Sequence, residues 1–406
     1  MIKFFFSLLL TMPFFVVKAQ TNNTYVADIT SLYNILQKTP SYKDQIKGQN
    51  LSAYNELFKK LKSDSTYNIS DYNYFYNLAQ LFFPIQDNHL GFYQTDKFPK
   101  ESEFPKFNGN IDSLKSVLET KVLDSIEGIY FYGDSYTVGV FQRSPKEFIG
   151  VVLSSKTTIW EKGQIAIHLY ETLPNYFKAI YAHPRYKNLL LYQIEKYSNH
   201  SLVNSYFYSS LSESIYAKII RQTDYVNLPK NIYPFHFKNI SSDIQYLHIK
   251  HFSASNAAMQ QSQCFYDSTK NSLTAPNLIL DLRNNDGGAK KVSKQFLSLV
   301  KNYVKGGQVY VLVNNGTLSQ GEIFTLQLKQ LKNVKVLGQT TKGMLVYGSN
   351  YGKREKLSSQ SFQVYITDMN GDKRLVPYEN YGINPDITLL DNKDWIDQVV
   401  EIIRKK

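Results

Sequence analysis

One cysteine, Cys264, is all that 406 residues contain. That scarcity excludes an internal disulfide, a Cys-x-x-Cys zinc site and a thiol redox pair. Histidines number seven. Away from His89 (His168, His183, His200, His236, His248, His251) they show no metal-ligand spacing, and no metal or other cofactor is expected. His248 and His251 lie three apart on a segment that reads as a strand, so they would face opposite sides. Past the first twenty residues no apolar run is long enough to cross a bilayer. Like charges are also not gathered: 46 Lys and Arg stand against 34 Asp and Glu, net +12, yet the longest basic run is the terminal Arg404-Lys405-Lys406. There is no helix-turn-helix, RNA-binding aromatic motif or zinc finger, so a nucleic-acid partner is not expected. No repeat stands out, and nothing in the sequence sets an oligomeric state.

What is present begins at the amino terminus. Lys3 precedes "FFFSLLLTMPFFVV", followed by Lys18, Ala19 and Gln20. A positive start, a short apolar stretch broken by Thr11 and Pro13, and a small residue at its end describe a secretory signal peptide. Residues 1–19 are expected to be removed, leaving a chain that starts near Gln20 with a net charge of +10, since Lys3 and Lys18 are lost from +12. No cysteine follows the apolar run, which argues against a lipid anchor. Export without disulfides suits a bacterial periplasm or outer surface.

Residues 20–100 read as a helical domain. Ile29, Leu32, Tyr33 and Leu36 share one face, as do Leu51, Tyr54, Leu57, Phe58 and Leu61, with Pro40 between the two helices. A third helix around "FYNLAQLFF" stops at Pro84, before "IQDNHLGFY". Residues 101–238 form a β-rich middle domain: a short helix in "IDSLKSVLETKVL", then a meander of antiparallel strands broken by Gly133-Asp134 and Ser144-Pro145, with a helical interruption near 201–220. From 239 to 406 buried strands ("IQYLHIKHF", "LILDL", "VYVLVN", "VKVLG") alternate with helices over 255–271, 288–304 and after Ser319, the pattern of an α/β layer with largely parallel strands. "KLSSQSFQVYIT" and "KRLVPYE" flank Met369-Asn370-Gly371-Asp372, a hairpin signal, and a helix over 393–405 closes the chain.

Functional groups gather beyond the carboxyl ends of strands in such a layer. "LILDL" runs into Arg283-Asn284-Asn285-Asp286-Gly287-Gly288, "VYVLVN" into Asn315-Gly316-Thr317-Leu318-Ser319, and "VKVLG" into Gln339-Thr340-Thr341-Lys342-Gly343. Ser319, three before Glu322 and ahead of an apolar run, fits a capping box. It equally fits a nucleophile at a strand-to-helix turn, with a double glycine beside it whose N–H groups turn outward and a helix N-terminus favouring developing negative charge.

"LILDLRNNDGG", "VNNGTLSQGEIF", "VLGQTTKG" and "YENYGINPDI" resemble, in order and approximate spacing, the C-terminal-processing (tail-specific) serine peptidase family, which includes the tricorn core and interphotoreceptor retinoid-binding protein. The resemblance covers 240–406, with a shorter echo at 87–90, and implies a ClpP/crotonase-like fold and a peptide or protein substrate. It makes Ser319 the nucleophile and places oxyanion N–H groups at Gly287 or Gly288 and at Gln320. One branch of the family activates the serine with a lysine, for which Lys342 is the candidate; it lies 23 residues after Ser319 and looks like a solvated spacer of the turn. The tricorn-like branch uses a histidine and a glutamate, matched here by His89 in "DNHLGFY" and Glu379 in "YENYGINPD". Imidazole suits the role because its pKa lies near operating pH, and a carboxylate fixes its tautomer. Ser319-His89-Glu379 is the preferred set. The family's processing proteases carry a PDZ domain where this chain has its β-rich segment, so carboxyl-terminal recognition is not carried over.

Overall fold

The computed structural model describes residues 14–63, 72–95, 104–221 and 223–405, with side chains from Thr24 onward. Most of the expected signal segment lies outside these residues. Four helices open the described chain: α1 (Phe14–Leu36), α2 (Pro40–Gln45), α3 (Gln49–Ser63) and α4 (Tyr72–Ala79). Ile29, Leu32 and Leu36 on α1 and Tyr54 and Leu61 on α3 are buried, as the helical periodicity requires. Pro40 does more than separate helices. It occupies the first turn of α2, where its missing N–H costs nothing, behind Thr39, whose hydroxyl accepts from the Tyr42 N–H.

After β1 (Gly91–Gln94) and α5 (Ile111–Glu119) come β2 (Gly128–Tyr132), β3 (Tyr136–Ser144), β4 (Glu147–Ser155), β5 (Ile165–Leu173), β6 (Tyr176–Ala182) and β7 (Leu189–Ser198), each antiparallel to the next. Two short strands, β8 (Ser201–Leu202) and β9 (Tyr216–Ala217), alter the outcome. β8 pairs with both β7 and β9, and β9 pairs with β2, so β2 to β9 form a closed ring. The meander expected from the sequence is thus a ring with no free edge there. Tyr132, Tyr136, Tyr181, Phe207 and Tyr216 pack against one another and are buried. The helical interruption expected near 201–220 is absent; the backbone there makes turns. Its polar groups go to side chains instead of to a helical ladder: Ser205 Oγ donates to the Leu202 carbonyl and accepts from the Tyr216 N–H, and Tyr192 donates to the Tyr206 carbonyl.

The rest of the chain builds the second layer: β10 (Phe235–Asn239), β11 (Ile244–Ile249), α6 (Asn256–Thr269), β12 (Asn277–Asp281), α7 (Lys290–Tyr303), β13 (Gln308–Val313), α8 (Gln320–Lys329) and β14 (Val334–Gly338). Then follow β15 (Tyr347–Gly348), β16 (Arg354–Lys356), β17 (Phe362–Tyr365), β18 (Met369–Asn370), β19 (Ile387–Thr388) and α9 (Trp395–Arg404). The sheet order is β10-β11-β12-β13-β14-β19, parallel from β11 onward. Leu247, Leu280, Val311 and Val336 line up across four strands and bury against α7 and α8. Tyr246, Ile279 and Tyr310 line the opposite face, which α9 covers through Trp395, Val399 and Ile403. Strands buried on both faces explain why these segments read as continuous apolar runs.

Two features tie the layers together. β17 leaves the α/β half to pair with β1, and β1 pairs with β7 of the ring. A third correction is local. "KRLVPYE" does not form the returning strand of a hairpin at 369–372: β18 pairs with β15, and Lys373–Tyr378 is a 3-10 helix. Asp372 caps it by accepting from the Arg374 N–H, and Pro377 cannot donate to a strand ladder. That helix delivers Glu379.

Candidate active site

Ser319 follows β13 and stands at the head of α8 with φ +54° and ψ −120°, a conformation that costs a non-glycine residue free energy. Its hydroxyl makes no cap hydrogen bond. The Glu322 N–H goes to the Ser319 main-chain carbonyl (2.9 Å), while the Glu322 carboxylate accepts from the Ser319 N–H (3.0 Å). Glu322 is far more than half of a capping box. Fully buried, it also accepts from Thr341 Oγ1 (2.6 Å) and from the N–H groups of Gly343 (2.7 Å) and Met344 (2.8 Å). One carboxylate therefore clamps the nucleophile turn to the turn after β14. Burial raises its pKa, opposed by these donors and by Lys196.

The double glycine lies against the serine. A Cβ on Gly287, at φ +74°, would stand 2.8 Å from the Ser319 Cβ. Gly288, at φ +132°, backs onto the Phe252 main chain, where a side chain would collide with the Phe252 carbonyl. The two expected donors are not equivalent. The Gly287 N–H is already spent on Asn285 Oδ1 (3.0 Å). The bridge to Phe252 uses the Gly287 carbonyl and the Ala289 N–H, which leaves the Gly288 N–H without a partner among the described residues. The Gln320 N–H is likewise unspent, and its side chain is anchored on Ser293 Oγ (3.0 Å).

Lys342 is not the solvated spacer its turn suggested. Its ammonium donates to Asn204 Oδ1 (2.5 Å), on the ring. Burial depresses its pKa, against the pull of Glu195 and Glu322. Its N–H goes to the Thr317 carbonyl (3.0 Å), two residues before Ser319, and its carbonyl accepts from Asn88 Nδ2 (3.2 Å). The segment carrying His89 is thereby docked onto the turn that Glu322 holds.

His89 and Glu379, separated by 290 positions, come together. Asp87, His89 and Glu379 each place one ligating atom within 4.8 Å of the others. Glu379 Oε1 accepts from the Asn88 N–H (2.9 Å), and Oε2 from the N–H groups of Leu345 (2.9 Å) and Val346 (2.8 Å). Asp87 accepts from the His89 N–H (3.2 Å) and Thr367 Oγ1 (2.7 Å). Three such groups could in principle clasp a cation, but every carboxylate oxygen already accepts an N–H or O–H. Burial pushes His89 down to about 4, so its imidazole is neutral at ordinary pH, and its Nδ1 is buried without a hydrogen-bond partner among the described residues. Glu379 therefore does not fix the ring through Nδ1 as expected, because its oxygens are taken by the main-chain N–H groups of Asn88, Leu345 and Val346. Burial and then the Asp87 charge push Glu379 up to about 8, while its three N–H donors pull the other way. Lys178, buried on β6 with its ammonium on the Ile85 carbonyl (3.0 Å) and Gln193 Oε1 (2.8 Å), acts electrostatically on both carboxylates.

Lys178, Lys196, Asp87 and Glu322 carry much of this electrostatics; the sequence points to Glu322 only as half of a capping box, and the other three escape it. A signal existed: Lys178 stands inside "YFKAIYA" and Glu195-Lys196 inside "LLLYQIEKYS", charges at positions where a strand of the ring is buried.

A serine on a strained turn at the carboxyl edge of a parallel sheet, with a double glycine packed against it, fits the class of α/β serine hydrolases. The particular kind follows from comparison. Residues 289–389, about a quarter of the chain, match the model of peptidase family S41. That segment holds Ser319, Lys342 and Glu379, and the match supports a serine-type peptidase. None of the curated proteins matches the chain. Among solved structures the chain is similar to the photosystem II D1 C-terminal processing protease (13% identity, 93% of this chain and 97% of that one, TM-score 0.38). It is also similar to the tricorn protease (12%, 95% and 37%, TM-score 0.41) and to a lipoprotein from Streptococcus agalactiae (19%, 42% and 69%, TM-score 0.30). Likenesses this distant carry no weight for the site.

Proposed function

We propose that the chain is an exported peptidase that hydrolyses peptide bonds through Ser319, with His89 as general base and Glu379 as the group that holds the His89 segment. The observation that carries this is the docking of Asn88-His89 between Glu379 and the Lys342 turn, which Glu322 clamps to Ser319. In the reaction Ser319 Oγ bonds to the scissile carbonyl carbon as His89 takes its proton. The N–H groups of Gly288 and Gln320 receive the developing oxyanion. His89 then protonates the departing amine as the C–N bond breaks, and water repeats the sequence on the acyl-serine. A histidine kept neutral by burial is ready to accept that proton. Lys342, its ammonium held on Asn204, is placed as a structural cation in this scheme. Export rests on the segment Lys3–Gln20; among the described residues no helix is long and apolar enough to cross a membrane.

The test is labelling with a serine-directed fluorophosphonate together with hydrolysis of unfolded protein. Wild type should be labelled, and Ser319→Ala should lose both signals. His89→Ala should cut turnover by at least about a hundredfold, whereas Lys342→Met should retain most of it. Loss in Lys342→Met with retention in His89→Ala would replace the histidine by the lysine. Amino-terminal sequencing of the protein from its native compartment should begin near Gln20.

A further inference from the structure

Where the ring meets the carboxyl edge of the six-stranded sheet there is a cleft of about 200 Å³. Asn315, four residues before Ser319, and Gln339 and Thr340, just before the clamped Thr341, form one wall. Tyr176, Lys196 and Ser198, on β6 and β7, form the other. Lys196 is only 5% exposed. Its ammonium donates to the carbonyls of Thr341 and Lys342, and an ammonium has three donors. One is left for the cleft.

Among the described residues no carboxylate touches this cation. Glu195 and Glu322 act on it from a distance, and both are filled by other donors. Glu195 accepts from the Tyr181 hydroxyl (2.7 Å) and from the N–H groups of Lys196 (2.8 Å) and Asn204 (2.7 Å). Glu322 is filled by the four donors described above. The neighbouring cation, Lys342, adds repulsion, and the Tyr176 ring lies 5.9 Å from the Lys196 ammonium. A buried cation without a contacting anion is costly and is a ready receptor for one. On the opposite wall Asn315 Oδ1 is buried with no donor, while Asn315 Nδ2 is held by Asn204 Oδ1 (2.7 Å). The cleft thus lacks one anion and one N–H, which a peptide can supply together.

We propose that this cleft is a substrate subsite in which Lys196 takes a carboxylate of the bound peptide, from a side chain or the carboxyl terminus, and Asn315 Oδ1 takes one of its N–H groups. The proposal rests on the peptidase reading above and names a substrate class for it. Burial pulls Lys196 down to about 7, so its charge fades as pH rises through neutrality. The groups facing it from each packed element are Glu195 on its own strand, Tyr176 on β6, Glu322 on α8 and Lys342 after β14.

The experiment uses the full chain and amidated decapeptide mixtures with Asp or Asn fixed at one position at a time, plus the same mixtures with free carboxyl termini. Cleavage at pH 6 should favour Asp over Asn about tenfold at one position, or the free over the amidated terminus; the arm that responds identifies the source of the carboxylate. The preference should shrink toward unity by pH 9. Lys196→Met should abolish it. Because that substitution also frees two carbonyls, Gln339→Glu is the second variant: it supplies the cleft with its own carboxylate and should remove the preference, read as the ratio of Asp to Asn cleavage within the variant. A preference absent in wild type, or unchanged in both variants, overturns the subsite. If wild type cuts nothing, the peptidase reading falls by itself. The subsite is then read by fluorescence binding of the same Asp and Asn mixtures to wild type and Lys196→Met, with equal affinities overturning it.

Discussion

Glu322 illustrates how much one side chain decides. In a capping box its loss would cost roughly 1 kcal/mol. Here it is buried and takes four donors from two turns. Glu322→Gln keeps the shape but has one acceptor oxygen and introduces an NH₂ group that faces donors. Unfolding in urea should therefore show a loss of about 2–4 kcal/mol, together with loss of serine labelling; a change near 1 kcal/mol would reduce Glu322 to a cap. Asp87 poses a question of charge. It and Glu379 are buried neighbours, and the Asp87 charge raises the Glu379 pKa. Asp87→Asn removes that repulsion, so Glu379 should hold its proton less tightly and ionise at lower pH. If Glu379 must be ionised to hold the His89 segment, kcat/KM should rise through about pH 8 in wild type and at lower pH in the variant. A pH profile that does not move would show that Glu379 ionisation is not felt by the reaction.

At the scale of elements, β5 carries a histidine that the proposed reaction does not use. His168 is buried, lies tilted against the Tyr76 ring at 4.5 Å between centroids, and has no hydrogen-bond partner for either ring nitrogen among the described residues. Burial pushes it down to about 4, with Glu147 pulling the other way. A histidine depressed in the folded state binds its proton more readily in the unfolded chain, whose imidazole titrates near 6.5. The stability it supports is complete above about pH 6.5 and is lost as pH falls toward 4, by up to about 3 kcal/mol. His168→Phe should match or exceed wild type in urea at pH 7 and lose distinctly less stability at pH 4.5. An equal loss in both proteins would mean that other groups carry the acid sensitivity.

For the whole molecule the decisive fact is that the ring and the α/β layer are not strung in series. β1 bridges β7 and β17, and the ring segment around Asn204 takes Lys342 and Asn315 as partners. The two tryptophans sit one on each side, Trp160 bonded to the Pro184 carbonyl (2.7 Å) and Trp395 to the Leu390 carbonyl (3.0 Å), both buried. Trp395→Phe and Trp160→Phe therefore yield separate fluorescence reporters of the two halves. Within each variant the fluorescence transition should coincide in midpoint and slope with that followed by far-ultraviolet circular dichroism, the mark of one cooperative unit. Two displaced transitions would show that the halves unfold independently.

The sequence by itself determined the elements whose patterns are local. Apolar runs marked β11 to β14, helical spacing marked α1 and α3, and glycines at positions where a side chain would collide marked the turn beside Ser319. The ordered motifs supplied Ser319, Lys342 and Glu379 as candidates, and the separate short echo at 87–90 supplied His89. Tertiary structure alone decided what depends on remote partners. β8 and β9 are two residues each, too short for any periodicity, yet they close the ring. "KRLVPYE" has a strand's composition, but Asp372 and Pro377 turn it into the 3-10 helix that delivers Glu379. Which glycine N–H is spent, and whether Lys342 meets water or Asn204, depends on side chains up to 138 positions away. Local sequence carries propensity, whereas burial and the pairing of charges belong to contacts that exist only once the chain has closed on itself.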